Sequence, residues 1–130
     1  MIAQKLRRAT PENSQEPRQA LLAFWDRDGH GHFRLEEEIL LPSFAAVADP
    51  YHPLIARVLC DHVAIRQRVG VLALNPGPAH ASLNALGRLL EAHVRLEERE
   101  LFPLIESAMT ATELEALARA LNRAEGSHDE

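Results

Sequence analysis

The chain is poor in the features that mark secreted, nucleic-acid-binding or membrane proteins. Its 130 residues hold one cysteine, Cys60. An internal disulfide is therefore excluded, which fits a reducing, cytoplasmic setting. Lys and Arg number 14 against 19 Asp and Glu, a net charge of −5 at pH 7. Nucleic-acid binding usually needs a basic face, so DNA and RNA are not expected partners. No apolar run approaches the ~18 residues of a membrane span. Met1 to Thr10 has no apolar signal core. Aromatics are only 5%, β-branched residues are scattered, and no alternating run with a hairpin turn occurs.

What remains is rich in Leu, Ala, Glu and Arg, which predicts an all-α fold. Hydrophobic residues at 46% and charged residues at 25% are ordinary for one globular domain, taken as residues 1–130. Proline and glycine divide it. Thr10-Pro11-Glu12-Asn13-Ser14, Ala48 to Pro53 and Asn75-Pro76-Gly77-Pro78 read as connections. Thr110-Ala111-Thr112-Glu113 reads as a capping box, and Gly126 as the end of the helix it opens. Helical segments follow at about 16–48, 53–74, 79–109 and 111–124. Short connections between long helices predict an up-and-down four-helix bundle with a core at about 16–109. Leu54, Ile55, Val58, Leu59, Ile65 and Val69 form the apolar stripe of the second segment. Pro42 and Pro103 are expected to kink or end their helices, and Gly29 and Gly31 to weaken theirs.

An internal repeat carries the chemistry. His32-Phe-Arg-Leu-Glu36-Glu-Glu-Ile-Leu-Leu-Pro42 matches His93-Val-Arg-Leu-Glu97-Glu-Arg-Glu-Leu-Phe-Pro103 at seven of eleven positions. Each copy places His and Glu at i and i+4 on one helix face, about 6 Å apart. His62, flanked by Leu59 and Ile65, adds a third candidate from another helix. Imidazoles and carboxylates in an apolar core are costly without a cation. His32, Glu36, His62, His93 and Glu97 are therefore the candidate metal ligands. Such a set suits iron, manganese or zinc better than calcium or magnesium. The plainer alternative has Glu36 and Glu97 paired with arginines one turn away.

Neighbouring positions fit less well. Glu37, Glu38, Glu98 and Arg99 are rotated away and read as solvated. His30 would point roughly 200° from His32 on a continuous helix. His52 and His80 lie about 15 and 20 Å along their helices from His62 and His93. His52 reads as an N-terminal cap, and His128 falls in the tail. The His-Glu-x-x-His, Walker and dinucleotide signatures are absent, as is the Glu-x-x-His pair of ferritin-like bundles.

The double His-x-x-x-Glu with Leu-Leu-Pro42 or Leu-Phe-Pro103, and Asp61-His62 with Ile65-Arg66, resemble the hemerythrin-like family, the HHE cation-binding domain. The resemblance spans roughly Ala20 to Glu106. It implies a four-helix bundle around a non-haem di-iron centre. Glu36 and Glu97 would bridge, with His32, His62 and His93 as terminal ligands. Arg66 stands where the family often has a second His. Residues Met1 to Ala9 look like the second half of a first helix whose first half is missing. The C-terminal helix or a partner chain, as in a homodimer, would then cover the open side.

The resemblance implies a binding module for dioxygen or nitric oxide, or an iron or redox sensor, rather than a turnover enzyme. Iron would be dinuclear in a complete site and otherwise mononuclear, with zinc or manganese as alternatives. Two other readings remain: a peroxide-reducing di-iron oxidoreductase, and a helical interaction domain with a vestigial site.

Overall fold

In a computed structural model, residues 2–75, 77 and 79–128 are described. The expected breaks at Pro76 and Pro78 lie outside them. All the regular elements among these residues are helices, and none is long and apolar enough to cross a membrane. They are α1 (Ile2–Arg7), α2 (Gln15–Phe24), α3 (His30–Leu35), α4 (Leu41–Val47), α5 (Pro53–Leu74), α6 (His80–Leu96), α7 (Phe102–Ala108) and α8 (Ala111–His128). π turns at Trp25–Gly29 and Glu36–Leu40 join α2, α3 and α4 into one rod over 15–47. A third, at Glu97–Leu101, joins α6 to α7 over 80–108.

Pro42 and Pro103 thus neither end nor break their helices. Each follows a π turn by two residues. The N–H of Leu41 donates to the Glu36 carbonyl, and that of Phe102 to the Glu97 carbonyl. The widened turn makes room for a ring that would otherwise strike the preceding turn. Gly29 closes the first π turn, where a Cβ would come within 2.8 Å of the Trp25 ring.

The rods 15–47 and 80–108 and helix α5 form three walls. The fourth is divided. At one end α1 packs against α6 and α2. At the other, α8 lies against α3 and the Glu36–Leu40 turn. Two apolar clusters follow this division. Leu6, Leu21, Ile65, Leu83 and Leu86 fill the α1 end. Leu41, Phe44, Val58, Leu101 and Leu117 fill the α8 end.

Local signals hold at several helix starts. The His52 ring accepts the Leu54 N–H at 3.0 Å and caps α5. Thr110 and Glu113 form the reciprocal capping box, at 2.8 and 3.1 Å. α8 departs from expectation by running past Gly126 to His128, because glycine weakens a helix without ending it. Leu59 also departs. It is exposed, and the buried face of α5 is Ile55, Val58, His62, Ile65, Val69 and Leu72.

The end of α5 is held by a buried arginine. Arg18 donates to the Asn75 carbonyl and, at 2.6 Å, to the Gly77 carbonyl. Arg18→Ala leaves both acceptors without this donor and is expected to cost about 2 kcal/mol. Chemical denaturation measures it, and Arg18→Lys should restore little, because an ammonium lacks the planar fork.

Candidate metal centre

The repeat brings its chemistry to the middle of the bundle, between the two apolar clusters. Glu36 and Glu97 each open a π turn, and both are buried. His93 precedes Glu97 by one turn on α6, and His62 faces them from α5. One donor atom from each of Glu36, His62, His93 and Glu97 can be chosen so that all lie within 4.8 Å of one another.

The atoms there are left without ordinary partners. Both Glu36 oxygens, Glu97 Oε2, His62 Nε2 and His93 Nε2 are buried with no hydrogen bond among the described residues. His62 Nε2 lies 2.8 Å from Glu36 Oε1, whereas His93 Nε2, at 3.6 Å from Glu97 Oε2, is beyond hydrogen-bond reach. The far side of each ring is paired. His62 Nδ1 is 2.7 Å from Glu37 Oε2, and His93 Nδ1 is 3.1 Å from Asp61 Oδ2. A carboxylate only accepts at neutral pH, so each Nδ1 carries a proton, and each Nε2 is the atom that would turn a lone pair to a cation held inside. Two imidazoles and two carboxyl groups converging in an apolar interior fit a cation between them.

The carboxyl groups respond to this crowding in opposite ways. Burial pushes Glu36 up, but polar contacts with His32, His62 and Glu97 outweigh it and hold it well below the usual range. Glu97 is pushed up to about 9, first by burial and then by its contact with Glu36 and that group's charge. Without a cation, the pair therefore keeps one proton at neutral pH. His93 is lowered, chiefly by burial.

His32 stands apart from this convergence. Its Nε2 is 3.0 Å from Glu36 Oε2, but its side chain is 60% exposed against 3% for His93. The contact with Glu36 raises it. The two repeat copies are thus unequal. His93 is covered by Asp61 and by the edge of the Phe33 ring, whereas His32 stays at the rim. Among the described residues, Glu36 and Glu97 form no arginine pairs. Arg34 reaches Glu38, and Arg95 reaches Glu91. Glu38, Glu98 and Arg99 are solvated as expected.

Glu37 is the correction. It is half-buried and binds His62, and Arg66 Nη2 is 3.1 Å from both of its oxygens. Asp61 adjoins His62 in sequence but serves His93 on another helix. Neither role follows from spacing along one helix. A signal did exist, since both acids adjoin a candidate ligand in sequence.

The hemerythrin HHE cation-binding domain family matches residues 1–105. The chain belongs to this family. No curated protein and no solved structure is significantly similar to it. The matched residues include all four of the converging side chains and exclude α8. With the buried His/Glu cluster, the family assignment makes this a cation-binding protein of hemerythrin type.

Proposed function

We propose that the protein is a non-haem iron protein that binds dioxygen or nitric oxide, or senses iron or redox state. The observation that carries the reading is the buried convergence of Glu36, His62, His93 and Glu97, one donor atom from each lying within 4.8 Å of the others, with five of their polar atoms lacking hydrogen bonds among the described residues. Two imidazoles and two carboxylates fit iron well, with manganese and zinc next. Glu36, His62, His93 and Glu97 would hold the ion. Their mutual spacing suits the coordination shell of a single ion. His32, beside the other oxygen of Glu36, would serve a second ion sharing that carboxylate.

Bound iron supplies the redox chemistry and an open coordination position for a small ligand. The chain's own residues do the rest. Glu37 and Asp61 fix the orientation of the two rings. Phe33, stacked on His62 at 3.8 Å between ring centroids, excludes water from one side. Leu40, Leu96 and Leu101 belong to the buried apolar cluster at the α8 end.

The test is elemental analysis after anaerobic ferrous loading and desalting, with wild type beside Glu36→Ala. One iron per chain in the wild type, lost in the variant, is the expected result. Two would make the centre dinuclear and give His32 its role. None would overturn the iron reading and leave a helical interaction domain. Optical changes on adding nitric oxide or dioxygen then check the gas ligand, and steady-state peroxide consumption checks for turnover.

A further inference from the structure

Arg66 touches both groups that orient His62. Its guanidinium is 3.1 Å from each oxygen of Glu37, and Glu37 binds the edge of the imidazole through Nδ1. The same guanidinium lies 5.8 Å from the Phe33 ring centroid, and Phe33 stacks on the imidazole face with 6° between planes. Trp25, also 5.8 Å from the guanidinium, packs edge-on against Phe33 at 5.3 Å. The ring is therefore held at its edge and on its face, and one cation ties the two holds together.

The corresponding arrangement at His93 is looser. Asp61 takes the edge, but its arginine, Arg57, is 3.8 Å away and 62% exposed, against 32% for Arg66. His93 meets only the edge of Phe33.

We infer that Arg66 is the positioning residue of His62, fixing its tautomer and its aim through Glu37 and Phe33 together. The inference rests on the cation-site reading for its use, but its geometry stands without a metal. Glu37 alone would be free to swing to solvent, because it is only half-buried. Paired with Arg66 it stays as an acceptor, and the Nδ1 proton stays on the ring. The extended, delocalised guanidinium serves both contacts, meeting Glu37 through Nη2 while its carbon lies over the Phe33 ring, which the compact ammonium of lysine cannot do equally.

Two readouts test this in the full chain. The first is 15N NMR of the histidines in the metal-free protein. The second is iron affinity by chelator competition. Wild type should show His62 as the single Nδ1–H tautomer. Arg66→Gln should mix the tautomers and weaken affinity about tenfold, the scale of losing a ligand's outer support. Arg66→Lys should recover part of the affinity. Arg68→Gln removes a charge from the exposed side of the same helix and should change neither readout. A folded Arg66→Gln protein with wild-type tautomer and affinity would overturn the inference. So would equal losses in the Gln and Lys variants that track their thermal midpoints. Should Arg66→Gln not fold, Arg66→Met, which keeps the apolar stem and removes the cation, decides: a mixed tautomer supports the inference and a wild-type tautomer sinks it. If the wild type binds no metal, the iron reading fails while the tautomer measurement still judges Arg66.

Discussion

Glu97→Gln stabilises the metal-free protein and weakens its hold on metal. Both effects come from the proton that Glu97 keeps. In the metal-free fold its carboxyl titrates near 9, against about 4.3 in an unfolded chain. Between these values the folded state holds a proton that the unfolded state has lost. Stability from this group is therefore full below about pH 4.3 and declines as pH rises towards 9. Glutamine keeps the neutral form and removes the conflict with Glu36. A gain on the order of 1–2 kcal/mol is expected at pH 7–8, or about 3–8 °C in thermal midpoint. The gain should shrink towards pH 4, which a pH series of melts on wild type and variant would show.

Metal binding reverses the sign, because a bound cation needs both carboxylates ionised. In structural zinc sites four ligands share an apparent 10–16 kcal/mol, so one carboxylate is worth about 3 kcal/mol. Affinity in Glu97→Gln should fall about a hundredfold. Wild type should release close to one proton per ion at neutral pH, seen by calorimetry in buffers of different ionisation enthalpy. A variant that is both more stable without metal and equally tight with it would remove Glu97 from the centre.

Gly87→Val should undock the first helix. A Cβ at residue 87 would stand 2.7 Å from the Ala3 carbonyl oxygen and 2.9 Å from the Arg7 backbone nitrogen. Both are backbone atoms, so no rotamer change relieves the contact. Asn84 fixes the same junction by donating to the carbonyls of Leu6, Arg7 and Ala9. Moving α1 away exposes Leu6, which is fully buried, at about 2–3 kcal/mol. The thermal midpoint should drop by about 10 °C, and the amides of residues 3–9 should lose exchange protection first. Gly70→Ala is the contrasting control. Nothing lies within 4 Å of its new Cβ, so helix propensity alone should raise stability by about 1 kcal/mol. A Gly87→Val protein as stable as wild type would mean α1 contributes little to the fold.

Much of the architecture was legible because it rests on local rules. Proline and glycine placed three of the walls, and the capping residues placed the starts of α5 and α8. The His-x-x-x-Glu repeat found three members of the converging cluster, Glu36, His93 and Glu97, since i and i+4 share a face on any helix, and the apolar stripe of α5 found the fourth, His62. The errors arose where one helix meets another. Glu37 points off the ligand face of its own helix, and only the position of α5 turns that direction inward. Leu59 has the composition of a core residue, but α5 faces the bundle through His62 and its neighbours one turn on. His32 and His93 have the same local sequence and different burial, because different elements cover them. The prolines misled for a related reason: a π turn is a change of hydrogen bonding that residue propensities do not record.

The π turns at Glu36–Leu40 and Glu97–Leu101, the two followed by proline, also shape how the chain can change. A π turn amounts to one extra residue in an α-helix, so it shifts the phase of everything beyond it by about 100°. Each long rod is split into an upper part facing the polar centre and a lower part facing the Leu41 and Leu101 cluster. The two parts do not share one heptad phase. Substitutions that retune the ligands are thereby uncoupled from the packing below them. The proline after each turn makes a return to the uninterrupted α ladder unfavourable, acting as a ratchet on that separation.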